Sequence, residues 1–160
     1  MPLRGNVATR LAHIEAGDAD ATLLAAAGLD RLGMANVGHS LPLEKFLPAA
    51  SQGAVGIDRL TSRDDLVPLL EAINHIPTFA AVIAERDLLE ALGGNCHSPV
   101  AAFAEVEGNS IRLRAQIFTE NGSEMQSGEE LFDAEGDGPA RLATELLGKA
   151  SADLRAIFNP

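Results

Sequence analysis

The chain contains no Trp and no Tyr, and its 160 residues include only six Phe and a single Cys. Any core therefore rests mainly on Leu, Ala, Val and Ile, and a small folding unit buries a smaller share of its surface than a large one. One cysteine excludes an internal disulfide and a cysteine-rich metal site. It fits a reducing, cytoplasmic setting. No segment has the length and apolar continuity of a membrane span. The start, Met1-Pro2-Leu3-Arg4-Gly5-Asn6, lacks the apolar stretch of a signal peptide. Basic charge is also short, with 12 Lys and Arg against 23 Asp and Glu, a net charge of −11. Residues 1–63 balance to zero, so the whole excess lies in residues 64–160. An acidic surface argues against nucleic acid and anionic membranes as partners, since both select for basic patches.

What is present alternates between helix and strand signals. Leu3 to Asn6 reads as a strand end running into a turn. Asn6 is placed to cap a helix from Val7 to Ala16, with Val7, Leu11 and Ile14 on one face. Ala21 to Ala26 has the short apolar run of a buried parallel strand, and Gly28 to Gly33 reads as a helical turn. This alternation predicts a partial α/β unit. Gly53 to Asp58 reads as a further strand and Arg63 to Ile73 as a helix. A second helix runs from Pro77 to about Leu92, ended by Gly93-Gly94. Three strands are expected at Val100–Val106, Ser110–Thr119 and Glu124–Phe132, separated by hairpin turns. Ile111, Leu113, Ala115 and Ile117 alternate toward one buried face. A helix from Pro139 continues to about Phe158. The expected fold is thus α/β followed by α+β, closing in a small C-terminal domain with a three-stranded antiparallel sheet.

Cys96 lies in Leu92-Gly93-Gly94-Asn95-Cys96-His97-Ser98-Pro99, an irregular segment between a helix end and a strand. Loops carry function more often than cores do. A nearby His97 ring would lower the thiol pKa. The local residues leave a functional and a structural thiol both open. Arg4 and Arg10 flank Gly5 and a helix start, an arrangement suited to carboxylates or phosphates, and Arg31 follows at the next crossing. Solvated arginines are the competing reading. Gln52 sits among small residues in Leu47–Ile57, either lining a ligand or marking a tight crossover. His13, His39 and His75 have no metal-ligand spacing, and neither a phosphate-binding loop nor a serine nucleophile elbow is present.

Four segments in order resemble the porphobilinogen deaminase (hydroxymethylbilane synthase) family. They are Arg4-Gly5-Asn6-Val7 with Thr9-Arg10-Leu11, Asp20 to Leu29 with Arg31-Leu32-Gly33, Leu47-Pro48-Ala49 with Gln52 to Ile57, and Thr78 to Arg86 with Leu92-Gly93-Gly94, Cys96 and Pro99. The resemblance implies tetrapyrrole (haem and chlorophyll precursor) biosynthesis. Four porphobilinogen molecules condense stepwise into hydroxymethylbilane with release of ammonia, primed by a dipyrromethane cofactor in thioether linkage to Cys96. Arg4, Arg10 and Arg31 would bind the acetate and propionate arms, because a guanidinium fork suits carboxylates. Gln52 would line the cleft, and the partners would be porphobilinogen and the growing linear oligopyrrole.

The resemblance further implies that residues 1–45 belong to the family's second domain, in a lobe like those of periplasmic binding proteins. Residues 46–72 correspond to the strand and helix that return to the first domain, and 73–160 to a third domain bearing the cofactor cysteine. The family's catalytic aspartate belongs to an N-terminal domain that no segment here matches, so no catalytic residue is assigned and the chain reads as a fragment expected to be inactive alone. The full-length family member is expected to be a monomer. Asn95 departs from the family, which favours glycine or another small residue there; this bears on loop flexibility. Two other readings stand beside this one. In the first, the chain is a non-catalytic remnant that binds anionic pyrroles or porphyrins; in the second, it is an unrelated thiol protein pairing Cys96 with His97.

Overall fold

The computed structural model describes residues 3–95 and 97–158. These cluster into two compact units, Met1–Pro42 and Leu43–Pro160.

The first unit is helical and thinly packed. Helix α1, Val7–Glu15, starts where expected: Asn6 Oδ1 accepts from the Thr9 amide at 2.9 Å. That bond satisfies one of the amide donors a helix start leaves open. Helix α2, Ala26–Arg31, contributes Leu29, the one buried apolar residue described in this unit. Val7 lies at the edge of contact with Gly28, 3.9 Å from where a Cβ would stand. The strands expected at Leu3–Asn6 and Ala21–Ala26 do not form: residues 21–25 carry no regular structure and Ala26 already belongs to α2. A strand exists only where a neighbour accepts its backbone hydrogen bonds. Among the described residues of this unit no such neighbour is present, so the expected parallel α/β arrangement is not built there.

The second unit holds the core. The strand expected at Gly53–Asp58 is likewise irregular and exposed. A 3-10 turn at Asp64–Leu66 leads into α3, Val67–Ile73, and α4 follows at Ile76–Ala91, with proline in the first turn of each. Three strands then form an antiparallel meander: β1, Val100–Glu107; β2, Ser110–Phe118; β3, Met125–Asp133. Helix α5, Gly138–Lys149, and α6, Ala152–Ala156, complete the unit. The single closing helix expected from Pro139 is broken at Ala150-Ser151, where Ser151 Oγ accepts from the Leu154 amide and starts α6 afresh.

The alternation in β2 decides the layering. Ile111, Leu113, Ala115 and Ile117 are all buried, opposite Phe132 on β3 and Ala102 and Ala104 on β1. Helices α4 and α5 cover this face with Ala84, Leu88, Leu142 and Leu146. The other face is polar. There Arg112 is held between Glu107 and Glu129, and Arg114 pairs with Glu105 at 3.0 Å while its guanidinium lies 5.4 Å from the Phe103 ring centre. Among the described residues no single helix is long and apolar enough to cross a membrane.

Candidate functional site

Arg10 is not free to meet a ligand with its whole fork. Its Nε donates to the Gly5 carbonyl at 3.2 Å and a terminal nitrogen reaches the Leu23 carbonyl at 3.5 Å. It therefore ties the start of α1 to the segment before α2. Gly5 has a φ of +108°, and a Cβ there would lie 2.9 Å from the Thr9 side chain. The room expected at Gly5 is thus filled by the chain's own helix cap. Arg4 and Arg31 are both exposed, and neither has a hydrogen bond or ion pair to another described residue. Arg31 closes the last turn of α2, where a cation is favoured by the helix dipole.

Gln52 is exposed on a tight turn built from residues 48–53. Its amide donates to the Ala49 carbonyl at 3.0 Å. Ser51, just before it, has a φ of +60°, unusual for a residue other than glycine. This turn is grafted onto the free edge of β1. The Ala102 amide donates to the Pro48 carbonyl at 2.9 Å, and Ala49 bridges Ala101.

The residue that secures the graft was not singled out by sequence reasoning. Glu85, on the inner side of α4, is only 6% exposed. One carboxylate oxygen accepts from the Ser51 amide at 2.5 Å and the other from the Ala104 amide at 2.9 Å. Burial pushes its carboxyl above the usual glutamate range, and the two amide bonds oppose that rise. Arg86 adds a longer contact from Nε to Ser51 Oγ at 3.4 Å. The sequence signal was a carboxylate in phase with the buried stripe Ala84, Leu88 and Leu92.

Cys96 lies outside the described residues. The segments on either side of it are held by hydrogen bonds. Gly94 N donates to the Leu89 carbonyl, closing the end of α4. Asn95 N donates to Ser98 Oγ at 2.9 Å, and Asn95 Oδ1 accepts from the His97 amide at 2.8 Å. Asn95, the departure expected to bear on flexibility, thus ties one flank of Cys96 to the other. A turn of this type is what Asn side chains favour. His97 is exposed.

Two family models match the chain in sequence. "Porphobilinogen deaminase, dipyromethane cofactor binding domain" covers residues 1–67, and "Porphobilinogen deaminase, C-terminal domain" covers residues 79–152. The chain belongs to the porphobilinogen deaminase family. A relative named porphobilinogen deaminase from Sphingopyxis alaskensis is 51% identical over 157 residues, which is 98% of this chain and 50% of that protein. Another of the same name from Paracoccus denitrificans is 43% identical over 154 residues, 94% of this chain and 49% of that protein. The chain spans about half the length of the curated relatives it matches.

The cofactor-binding match falls on the segment that contains Arg4, Arg10, Arg31 and Gln52. Its donor set suits a carboxylate-bearing dipyrromethane. Arg4 and Arg31 present guanidinium groups not engaged by described carboxylates, whereas Arg112, Arg114 and Arg141 in the second unit are each paired with glutamate. An unpaired guanidinium is the better anchor for an incoming acid, because no existing ion pair has to be broken first.

Proposed function

We propose that this chain takes part in the condensation of porphobilinogen into a linear tetrapyrrole, as the portion of a porphobilinogen deaminase that holds the primer. The observation that carries this reading is the pair of family matches, in order, over residues 1–67 and 79–152. When bound, the dipyrromethane would supply the free pyrrole carbon that the first porphobilinogen joins, each later unit joining the one before it with loss of ammonia. Cys96 is the attachment point, through a thioether. Arg4 and Arg31 take the acetate and propionate arms through paired charge-assisted hydrogen bonds. Arg10 keeps the Arg4 segment in place through the Gly5 carbonyl and has a lesser direct share. Gln52 offers an amide to the pyrrole chain from its exposed turn. Asn95 and Ser98 tie the flanks of the cysteine together through their hydrogen bonds. In this reading residues 1–45 contribute to an α/β lobe and 46–72 return toward a further domain. Electrostatic stabilisation of charge on the pyrrole nitrogens comes from sequence that the relatives carry beyond the matched half.

Co-expression with the unmatched half of the Sphingopyxis alaskensis relative tests this. The expected result is a two-pyrrole mass increment on the peptide containing Cys96, with release of ammonia from porphobilinogen by the purified pair. The 160-residue chain alone should show its unmodified mass and no turnover. An increment that survives in Cys96→Ser, or its absence from the pair, overturns the assignment. The same increment on the chain expressed alone would show that assembly of the primer needs nothing beyond these residues.

A further inference from the structure

Among the described residues Glu85 is the only charged side chain in the core. A carboxylate there is costly unless its oxygens are satisfied. If its purpose were to finish the sheet, the bond to the Ala104 amide would suffice, since that amide lies on the free edge of β1. Instead the second oxygen reaches 34 positions back along the chain to Ser51. That bond falls on a residue with a φ of +60°, a conformation that does not persist without support from its surroundings. The next residue is Gln52. Helix α4, which carries Glu85, also ends in the Leu92–Pro99 segment that contains Cys96.

We propose that Glu85 is a positioning residue whose carboxylate holds the Ser51 turn in its strained form and thereby fixes Gln52 against the domain that bears Cys96. What Gln52 then touches rests on the tetrapyrrole reading above; the latch itself does not. Arg86, through Ser51 Oγ, supports the same turn from the solvent side.

The test uses the 160-residue chain and the variants Glu85→Gln, Glu85→Ala, Gln52→Ala and Glu85→Gln with Gln52→Ala. Glutamine keeps one acceptor oxygen and turns an N–H₂ toward the other amide, so the fold has a better chance than with alanine. Two quantities are measured: amide exchange, and affinity for a synthetic dipyrromethane bearing acetate and propionate arms. In Glu85→Gln the Ser51 and Gln52 amides should exchange about tenfold faster or more, the loss of one charge-assisted hydrogen bond, while Leu113 and Ile117 stay protected. Dipyrromethane affinity should fall by the same factor in Glu85→Gln and Gln52→Ala, and no further in the double variant. A purely structural glutamate would instead expose the turn and the sheet together, and its effect on binding would add to that of Gln52→Ala. Either result overturns the latch, as does unchanged exchange at Ser51. Failure of the parent to bind dipyrromethane overturns direct binding of the pyrrole arms by this chain alone, and the exchange data still decide the latch.

Discussion

Gly93→Ala should unfold the second unit more readily than any ordinary surface change. Gly93 ends α4 with a φ of +70°, and an added Cβ would stand 2.5 Å from the Phe158 backbone oxygen. Two costs combine. An alanine in the left-handed region gives up roughly 1–2 kcal/mol relative to glycine. A methyl forced against a neighbour costs about 1–3 kcal/mol. The neighbour cannot swing aside as a lysine tip would, because it is main chain and the Phe158 side chain is 1% exposed. The expected loss is therefore about 2–5 kcal/mol, a large part of the roughly 5–15 kcal/mol that holds a typical domain. Gly122→Ala supplies the comparison: its φ is +69° but nothing lies within 4 Å of the added Cβ. It should lose only the backbone part. Urea unfolding followed by circular dichroism reads both variants. Equal midpoints for Gly93→Ala and Gly122→Ala would refute the steric part of the reasoning, and a parental midpoint for both would refute all of it.

Four further outcomes are expected. Glu85 has a folded-state pKa raised by burial, so its contribution to stability is fully present below the ordinary glutamate range and is lost as pH rises through the raised value. The stability of the parent relative to Glu85→Gln should accordingly fall with rising pH across that interval, and a rise would contradict the direction. Arg10→Ala should cost about 1 kcal/mol and speed amide exchange between Gly5 and Leu24, because two carbonyls lose a charged donor. Arg4→Ala should change stability by less than about 0.5 kcal/mol, as exposed substitutions do. Across the parent chain, residues 3–42 should exchange faster than β2, since among the described residues there only Leu29 is buried; uniform strong protection would speak against it.

The second unit was readable from sequence because its signals are local. The period-two pattern of Ile111, Leu113, Ala115 and Ile117 and the turns at Gly108 and Gly122 fix the meander without help from distant residues. The strands expected at Ala21–Ala26 and Gly53–Asp58 failed for the complementary reason: an apolar run shows only that a segment would accept a ladder partner, not that one is present. On helix α4 the large residues Phe79 and Ile83 are exposed, while Ala84 and Leu88 pack on the sheet. Small residues face β1 because Ala102 and Ala104 leave a shallow surface that lets the helix come close. For the candidate site, motif order is what proposes Arg4, Arg10, Arg31, Gln52 and Cys96. Glu85 was missed because its partners are two main-chain amides, which no side-chain pattern records.

The graft of residues 48–51 onto β1 has a kinetic consequence. The meander closes through hairpins of a few residues, whereas the Ser51–Glu85 bond joins positions 34 apart, and loop closure grows dearer in entropy with length. Contacts between sequence neighbours form first and distant ones later. The Ser51–Glu85 bond is therefore expected to form after the hairpins of the meander, and the turn that carries Gln52 to settle with it.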